Sequence, residues 1–229
     1  MQFEITDING ENHGFDTDGK WNAVLNADCM TALKQMPDKC VSLAICDPPY
    51  GLERMKHGSA KNNRTGYATG DWNNAAPKPE YFTELFRVSK NQIIWGANNF
   101  ELPPSEYFIV WDKQQTVDNF ASAEYAWTNC KMPAKVFRHS AHQMARDRIQ
   151  AFGKIHPTQK PVKLYQWLLR NYAKQGDKIL DTHMGSGSSI IACHDMGFEY
   201  MAFEIDKDYY DAAVKRIEEH KRQIRFDLG

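Results

Sequence analysis

The chain has 229 residues, with 28 Lys and Arg against 29 Asp and Glu for a net charge of −1, and is 42% apolar, 12% aromatic and 25% charged. That is the composition of a globular chain with an ample core, and it excludes a mainly disordered protein and a generally cationic, histone-like binder. No window approaches 18 consecutive apolar residues, the N-terminus MQFEITDING has neither a basic nor an apolar signal region, and Cys29, Cys40, Cys46, Cys130 and Cys193 form no CxxC pair. A membrane span, a secretory signal, a disulfide framework and a structural zinc site are therefore not expected, and the thiols read as reduced and cytoplasmic.

Residues 1–20 set Glu4, Asp7, Glu11, Asp16 and Asp18 against Lys20 and read as a polar, poorly anchored lead-in. Trp21 to Ala27 reads as a short strand ending at Asp28, followed by a helix with Leu33 and Met36 at i, i+3 spacing and Pro37 as its stop. VSLAIC (41–46) is an apolar run of strand length, suited to a parallel strand covered on both faces. Residues 51–79 are rich in Gly and Asn and carry Arg54, Lys56, Lys61 and Arg64, which predicts a long, mobile, cationic loop. A helix over 80–89 and strands over 92–97, 107–111 and 122–127 follow, with Trp95, Trp111 and Trp127 read as core.

Between 131 and 163, eight basic side chains stand against Asp147 alone. Such a run is either a solvated surface or a phosphate-contacting face. His139 and His142 have a His-x-x-His spacing but no third ligand, so no metal site is expected. An amphipathic helix over 161–174 starts at Pro161. A strand (178–181), a Gly/Ser turn, a helix (189–196) closed by Gly197, a strand (199–206) and a terminal helix (207–225) complete the chain. Strands alternating with helices predict a mostly parallel α/β sheet.

Two turns carry chemistry. Asp181-Thr-His-Met-Gly185-Ser186-Gly187-Ser188 lies between a strand and a helix, where glycines admit a ligand to the backbone and the helix N-terminus favours anionic groups. Glu204 ends the next strand, where a carboxylate accepts from both hydroxyls of a ribose. This half-unit predicts a nucleoside-bearing cofactor; a nicotinamide enzyme and a turn that binds nothing are its alternatives. Asp47-Pro48-Pro49-Tyr50 follows VSLAIC at the strand's C-terminal end. Its prolines fix φ and remove two donors, leaving a stiff ledge with a carboxylate, carbonyls and an aromatic ring. A flat substrate with an exocyclic amine matches that ledge, although Asp-Pro-Pro is also simply a good turn.

Taken together the motifs resemble the amino-directed DNA methyltransferases. Asp47 to Tyr50 matches the family's DPPY motif, His156-Pro-Thr-Gln-Lys-Pro161 its HPTQKP segment, Asp181 to Ser188 its glycine loop and Glu204 the acid after it. DPPY precedes the glycine loop, the permuted order of the β group, and the likeness covers roughly residues 22–220. Thr182, His183 and Ser188 depart from the family's usual Pro, Phe and Thr.

The resemblance implies a Rossmann-like class I methyltransferase fold: one catalytic domain over 1–229, with a seven-stranded mostly parallel sheet and helices on both faces. It implies S-adenosyl-L-methionine as cofactor, contacted by Asp28, Thr158, Lys160, Asp181, Gly185, Ser186, Gly187, Ser188 and Glu204. Asp28 is expected at the cofactor's adenine, and Thr158 and Lys160 near its carboxylate end. The catalytic set is Asp47, Pro48, Pro49 and Tyr50, with methyl transfer to adenine N6 of a flipped-out base and Tyr50 stacked on it. DNA is the expected partner, held by the 51–79 loop and a short recognition segment at about 131–155. A homodimer, a cytoplasmic location and a restriction–modification setting also come with the resemblance. Cytosine-N4 methylation is the near alternative. A nicotinamide oxidoreductase and a non-catalytic DNA-binding relative are more distant ones. Cys46 reads as a buried strand residue without a catalytic role.

Overall fold

Alternation of apolar and polar residues folds the N-terminus into a hairpin, which corrects the expectation of a loose lead-in. In the computed structural model, which describes residues 1–51, 76–115, 118, 121–140, 143, 146 and 154–227, β1 (Gln2–Thr6) pairs antiparallel with β2 (Asn12–Asp16). Phe3 and Ile5 point inward, and the Phe3 ring meets the fully buried Trp21 edge-on at 5.7 Å. Burial of each such side chain contributes about 1.5–3 kcal/mol. Asp7 closes the turn by accepting the N–H groups of Asn9 and Glu11 at 2.8 and 2.9 Å.

The main sheet has eight strands: β3 (Asn22–Leu25), β4 (Val41–Cys46), β5 (Ser89–Trp95), β6 (Phe108–Asp112), β7 (Ala123–Thr128), β8 (Lys135–Arg138), β9 (Lys178–Asp181) and β10 (Glu199–Phe203). Their order is β3-β10-β9-β4-β5-β7-β6-β8, with β7 antiparallel to both neighbours and every other pair parallel. The strand beyond the expected seven is β8. It comes from the basic run and packs Phe137 against Trp167 at 5.5 Å.

Among the described residues five helices cover the sheet: α1 (Cys29–Gln35), α2 (Pro79–Val88), α3 (Val162–Tyr172), α4 (Ser188–Met196) and α5 (Lys207–Asp227). Period-two alternation divides the core between the two faces. Leu43, Ile45, Ile93 and Ile109 pack with Leu164 and Leu168 of α3, Ile190 of α4 and Ile217 of α5. Ala44, Cys46, Ile94 and Met201 pack with Leu33 of α1, Leu85 of α2 and the hairpin. Trp95 and Trp111 belong to the first face and Trp127 to the second, so all three are core as expected. Among the described residues no helix is long and apolar enough to cross a membrane.

The topology creates the site. β9 and β4 lie side by side and parallel, and from this pair the chain winds outward in opposite directions, through β10 and β3 on one side and β5 on the other. The turns after Asp181 and Cys46 therefore open on the same sheet edge at a switch point, where open α/β sheets bind ligands.

Candidate active site

A cavity of about 220 Å³ occupies that edge, and its lining follows the strand order. Ala27 and Asp28 come from the end of β3, Glu204 and Ile205 from β10, Thr182 to Ser186 from β9, and Asp47 and Pro49 from β4. Cys29, His156, Thr158, Gln159, Lys160, Tyr165 and Tyr209 complete the wall. Asp47 and the glycine turn thus share one cleft.

The glycine turn is held mainly by backbone donors. The Gly185 N–H donates to Glu204 Oε2 at 2.9 Å and the Asp206 N–H to Oε1 at 3.0 Å. Burial pushes the Glu204 carboxyl above the ordinary carboxylate range, and these two donors pull it back. Gly185 sits at φ +52° with the His156 ring as the nearest neighbour of a Cβ there, at 3.7 Å. Gly187, at φ +72°, precedes α4, and a Cβ on it would lie 2.9 Å from Ile217 Cδ1. Gly187 is therefore required by helix packing and by its backbone conformation, outside the cavity wall.

Asp181 is likewise behind the wall. It accepts from Ser189 Oγ at 2.5 Å and from the His183 N–H at 3.1 Å, and burial pushes its carboxyl up to about 7. Ser188 faces away from the cavity and accepts from Arg216 Nη1 at 3.0 Å; the same nitrogen reaches the Ser186 carbonyl at 2.7 Å. Asp28 lines the cavity and also caps α1, accepting from the Met30 and Thr31 N–H groups.

Two of the three departures from the family pattern, Thr182 and His183, join one network with Tyr81. Thr182 Oγ1 lies 2.6 Å from the Tyr81 hydroxyl and 2.9 Å from His183 Nδ1. Burial lowers His183 to about 4, so the ring is neutral at pH 7. His156 is also held at about 4 by burial, and its Nδ1 accepts from the Thr158 N–H at 3.3 Å and lies 3.1 Å from the Thr158 hydroxyl.

The Asp47 turn is held by side-chain charge. Tyr50 donates its hydroxyl to Asp47 Oδ1 at 2.6 Å, and the Lys160 ammonium donates to Oδ2 at 2.5 Å. Lys160 is almost fully buried and also meets Glu124 Oε2 of β7 at 3.0 Å, as an ion pair without hydrogen-bond alignment. Burial alone would lower the Lys160 ammonium, but Asp47 and Glu124 hold it well above its ordinary value. Pro48 is buried, and neither it nor Tyr50 is on the cavity wall. The Tyr50 ring rests against Phe100 and on Gly96, where a Cβ would come within 2.1 Å of it.

Of the thirteen residues singled out from the sequence, Asp28, Asp47, Pro49, Thr158, Lys160, Gly185, Ser186 and Glu204 line the cavity, whereas Pro48, Tyr50, Asp181, Gly187 and Ser188 support it from outside. Lys160 is found on Asp47 and Glu124, and sequence reasoning missed Glu124, Arg216, Tyr165 and Tyr209. The 52–75 part of the expected loop, His142 and much of the 131–155 segment lie outside the described residues. The five cysteines are unpaired thiols, and burial pushes Cys46 up to about 12.

This arrangement matches known proteins. The family model described as DNA methylase, covering N6 and N4 enzymes, matches residues 72–215, more than half of the chain. The chain belongs to this family of amino methyltransferases. A curated relative, the type II methyltransferase M.HinfI of Haemophilus influenzae, is 23% identical over 248 residues, which is 87% of this chain and 69% of that protein. The M1.HpyAVI structure, solved as a complex with SAM, superposes with a TM-score of 0.55 at 19% identity, covering 84% of this chain and 98% of that one. PvuII DNA methyltransferase, cytosine-N4-specific, gives a TM-score of 0.55 at 13% identity, covering 89% and 91%. The class I methyltransferase fold is therefore that of this chain.

Proposed function

We propose that the chain is an S-adenosyl-L-methionine-dependent DNA methyltransferase acting on adenine N6. The observation that carries this reading is the shared cavity: an amine-accepting carboxylate, Asp47, lies across one cleft from a glycine turn braced by Glu204. The donor set fits the cofactor. Glu204 offers acceptors for ribose hydroxyls, Gly185 and Ser186 present backbone along the wall, and Thr158 offers a hydroxyl. When bound, S-adenosylmethionine supplies a methyl group on a sulfonium, an electrophile that needs no further activation.

The protein's task is then the nucleophile. The lone pair of an exocyclic amine is delocalised into the base and must be recovered. Asp47 and the Pro48 carbonyl accept the two N–H bonds, draw the amine out of plane and stabilise the positive charge developing on nitrogen. The bound cofactor would supply the methyl group while Asp47 and the Pro48 carbonyl hold the two N–H groups, and the proton that the amine sheds would pass to solvent. Alignment supplies much of the rate, with no covalent enzyme intermediate. Flipping the base out of the duplex brings it to this ledge, with Tyr50 covering its face, and the basic segments at 51–79 and 131–155 hold the backbone. The Asp at the head of DPPY favours adenine, whereas the fold shared with a cytosine-N4 enzyme keeps cytosine as the second reading.

Digestion of methylated DNA to nucleosides and mass analysis tests this. N6-methyldeoxyadenosine is expected; N4-methyldeoxycytidine in its place selects the second reading, and the absence of both overturns the activity. Thermal shift provides an independent check, with stabilisation by S-adenosylmethionine and none by NAD.

A further inference from the structure

We propose that Lys160 and Glu124 are positioning residues for the methyl transfer, acting through Asp47 as a buried anion–cation–anion relay. The inference deepens the amino-methyltransferase reading and rests on it. Asp47 alone could brace an amine, but it is found with Lys160 on one oxygen and the Tyr50 hydroxyl on the other. A lysine paired with Asp47 fixes its rotamer and also cancels its charge. An Asp–Lys pair would thus present no net charge to a nitrogen becoming cationic.

Glu124 resolves this conflict. It sits behind Lys160 at 3.0 Å and shares the ammonium with Asp47, so Asp47 keeps part of its negative charge toward the cavity although the ladder as a whole, with Lys113 at its far end, is neutral. The other Glu124 oxygen pairs with Lys113 at 2.5 Å, at the more exposed end of the ladder. Lys160 is 4% exposed and Glu124 20%, so the charges act through protein more than through water. Two carboxylates facing one ammonium also explain why a fully enclosed lysine stays charged. The other titratable groups facing the trio are Tyr50 of the same turn, Tyr165 of α3, Asp181 of β9 and His156 ahead of α3.

The relay makes a signed prediction. Removing the cation in Lys160→Met leaves two carboxylates competing for a proton, so the acid limb of the single-turnover rate moves to higher pH. Removing the rear anion in Glu124→Gln leaves the whole ammonium to Asp47, so the limb moves to lower pH. Each displacement is about one pH unit. Lys160→Met loses roughly tenfold or more in rate at neutral pH, as on removal of a hydrogen bond to a charged group, and Glu124→Gln, which removes only an ion-pair partner, loses less. Lys160→Arg keeps the charge and restores most of the rate.

The experiment measures single-turnover methylation against pH for the full chain and these variants, with cofactor affinity by calorimetry and melting temperature alongside. Opposite displacements with unchanged cofactor affinity support the relay. Limbs that stay fixed, or that move the same way, overturn it. If Lys160→Met does not fold, Glu124→Gln decides alone: a lowered limb supports the relay and an unmoved one overturns it. Wild-type protein that transfers no methyl group defeats the amino-methyltransferase reading and the relay together. Wild type that methylates while the variants match its rate and profile defeats the relay alone.

Discussion

The two turns that meet in the cavity are fixed by different physics. The glycine turn is held largely by main-chain donors on Glu204 and by left-handed glycines within residues 181–206, with the Tyr81 hydroxyl of α2 on Thr182 and Arg216 of α5 as braces from outside. The Asp47 turn is held by formal charges gathered from far along the chain, with Lys160 lying 113 residues from its partner. One half of the site is encoded locally and the other is assembled by topology. Local encoding tolerates neutral substitutions around it. Assembly by charge makes each member depend on the rest.

The sharpest way to separate the halves is Asp47→Asn, which keeps the shape and removes the charge. A fall of about 10²–10³ in the transfer rate is expected, the size seen when one preorganised charge-stabilising contact is lost. Calorimetry then reads wild-type cofactor affinity, and a matching loss of affinity would break the division. Next comes Gly96→Ala. The left-handed conformation costs about 1–2 kcal/mol for a residue with a Cβ, and displacing the Tyr50 ring adds roughly 1–3 kcal/mol of overpacking. Chemical denaturation checks the stability loss, and kinetics should show damage to turnover with cofactor binding spared.

Arg216→Met probes the other half. It leaves the Ser186 carbonyl and the Ser188 hydroxyl without their donor, at about 1–3 kcal/mol. Cofactor affinity should fall more than the rate at saturating cofactor, the mirror image of Asp47→Asn.

The smallest effect is a pH dependence. His156 and His183 are held near 4 in the folded protein, below the ordinary 6.5 of the unfolded chain. Between pH 6.5 and 4 the unfolded chain takes up protons that the native state refuses, so stability is full above 6.5 and falls as pH drops. Each ring accounts for about 2 kcal/mol at pH 5. Asp181, raised to about 7, acts oppositely across the same window. His183→Gln removes one of the two histidine contributions. Its melting temperature should fall less than wild type's between pH 7 and 5, and an equal fall would assign the effect elsewhere.

What the sequence disclosed divides along the same line. Asp47, Gly185 and Glu204 were legible because each lies in the turn that follows an apolar strand, and strand ends at a switch point are where ligands bind. Glu124 was not, because in an alternating strand such as SAEYAW an acid reads as solvent-facing, and its ammonium partner is far away in sequence. The place of Lys160 depended on that same unseen neighbour. The hairpin was hidden by its acids, which mask the alternation of Phe3, Ile5 and Phe15 until Trp21 is seen to receive them. The eighth strand, KVFR, was hidden inside a charge run for the same reason.

The edge strand β3 carries a consequence for how this molecule is made. It precedes every other described strand of the main sheet, yet it pairs with β10, the last of them, Asn22 opposite Tyr200. A nascent chain emerging N-terminus first must therefore hold that segment in waiting until β10 has been made. An intermediate that stops short of β9 has a proline ledge but lacks the wall facing it, so the cleft exists only once the later strands have joined the sheet.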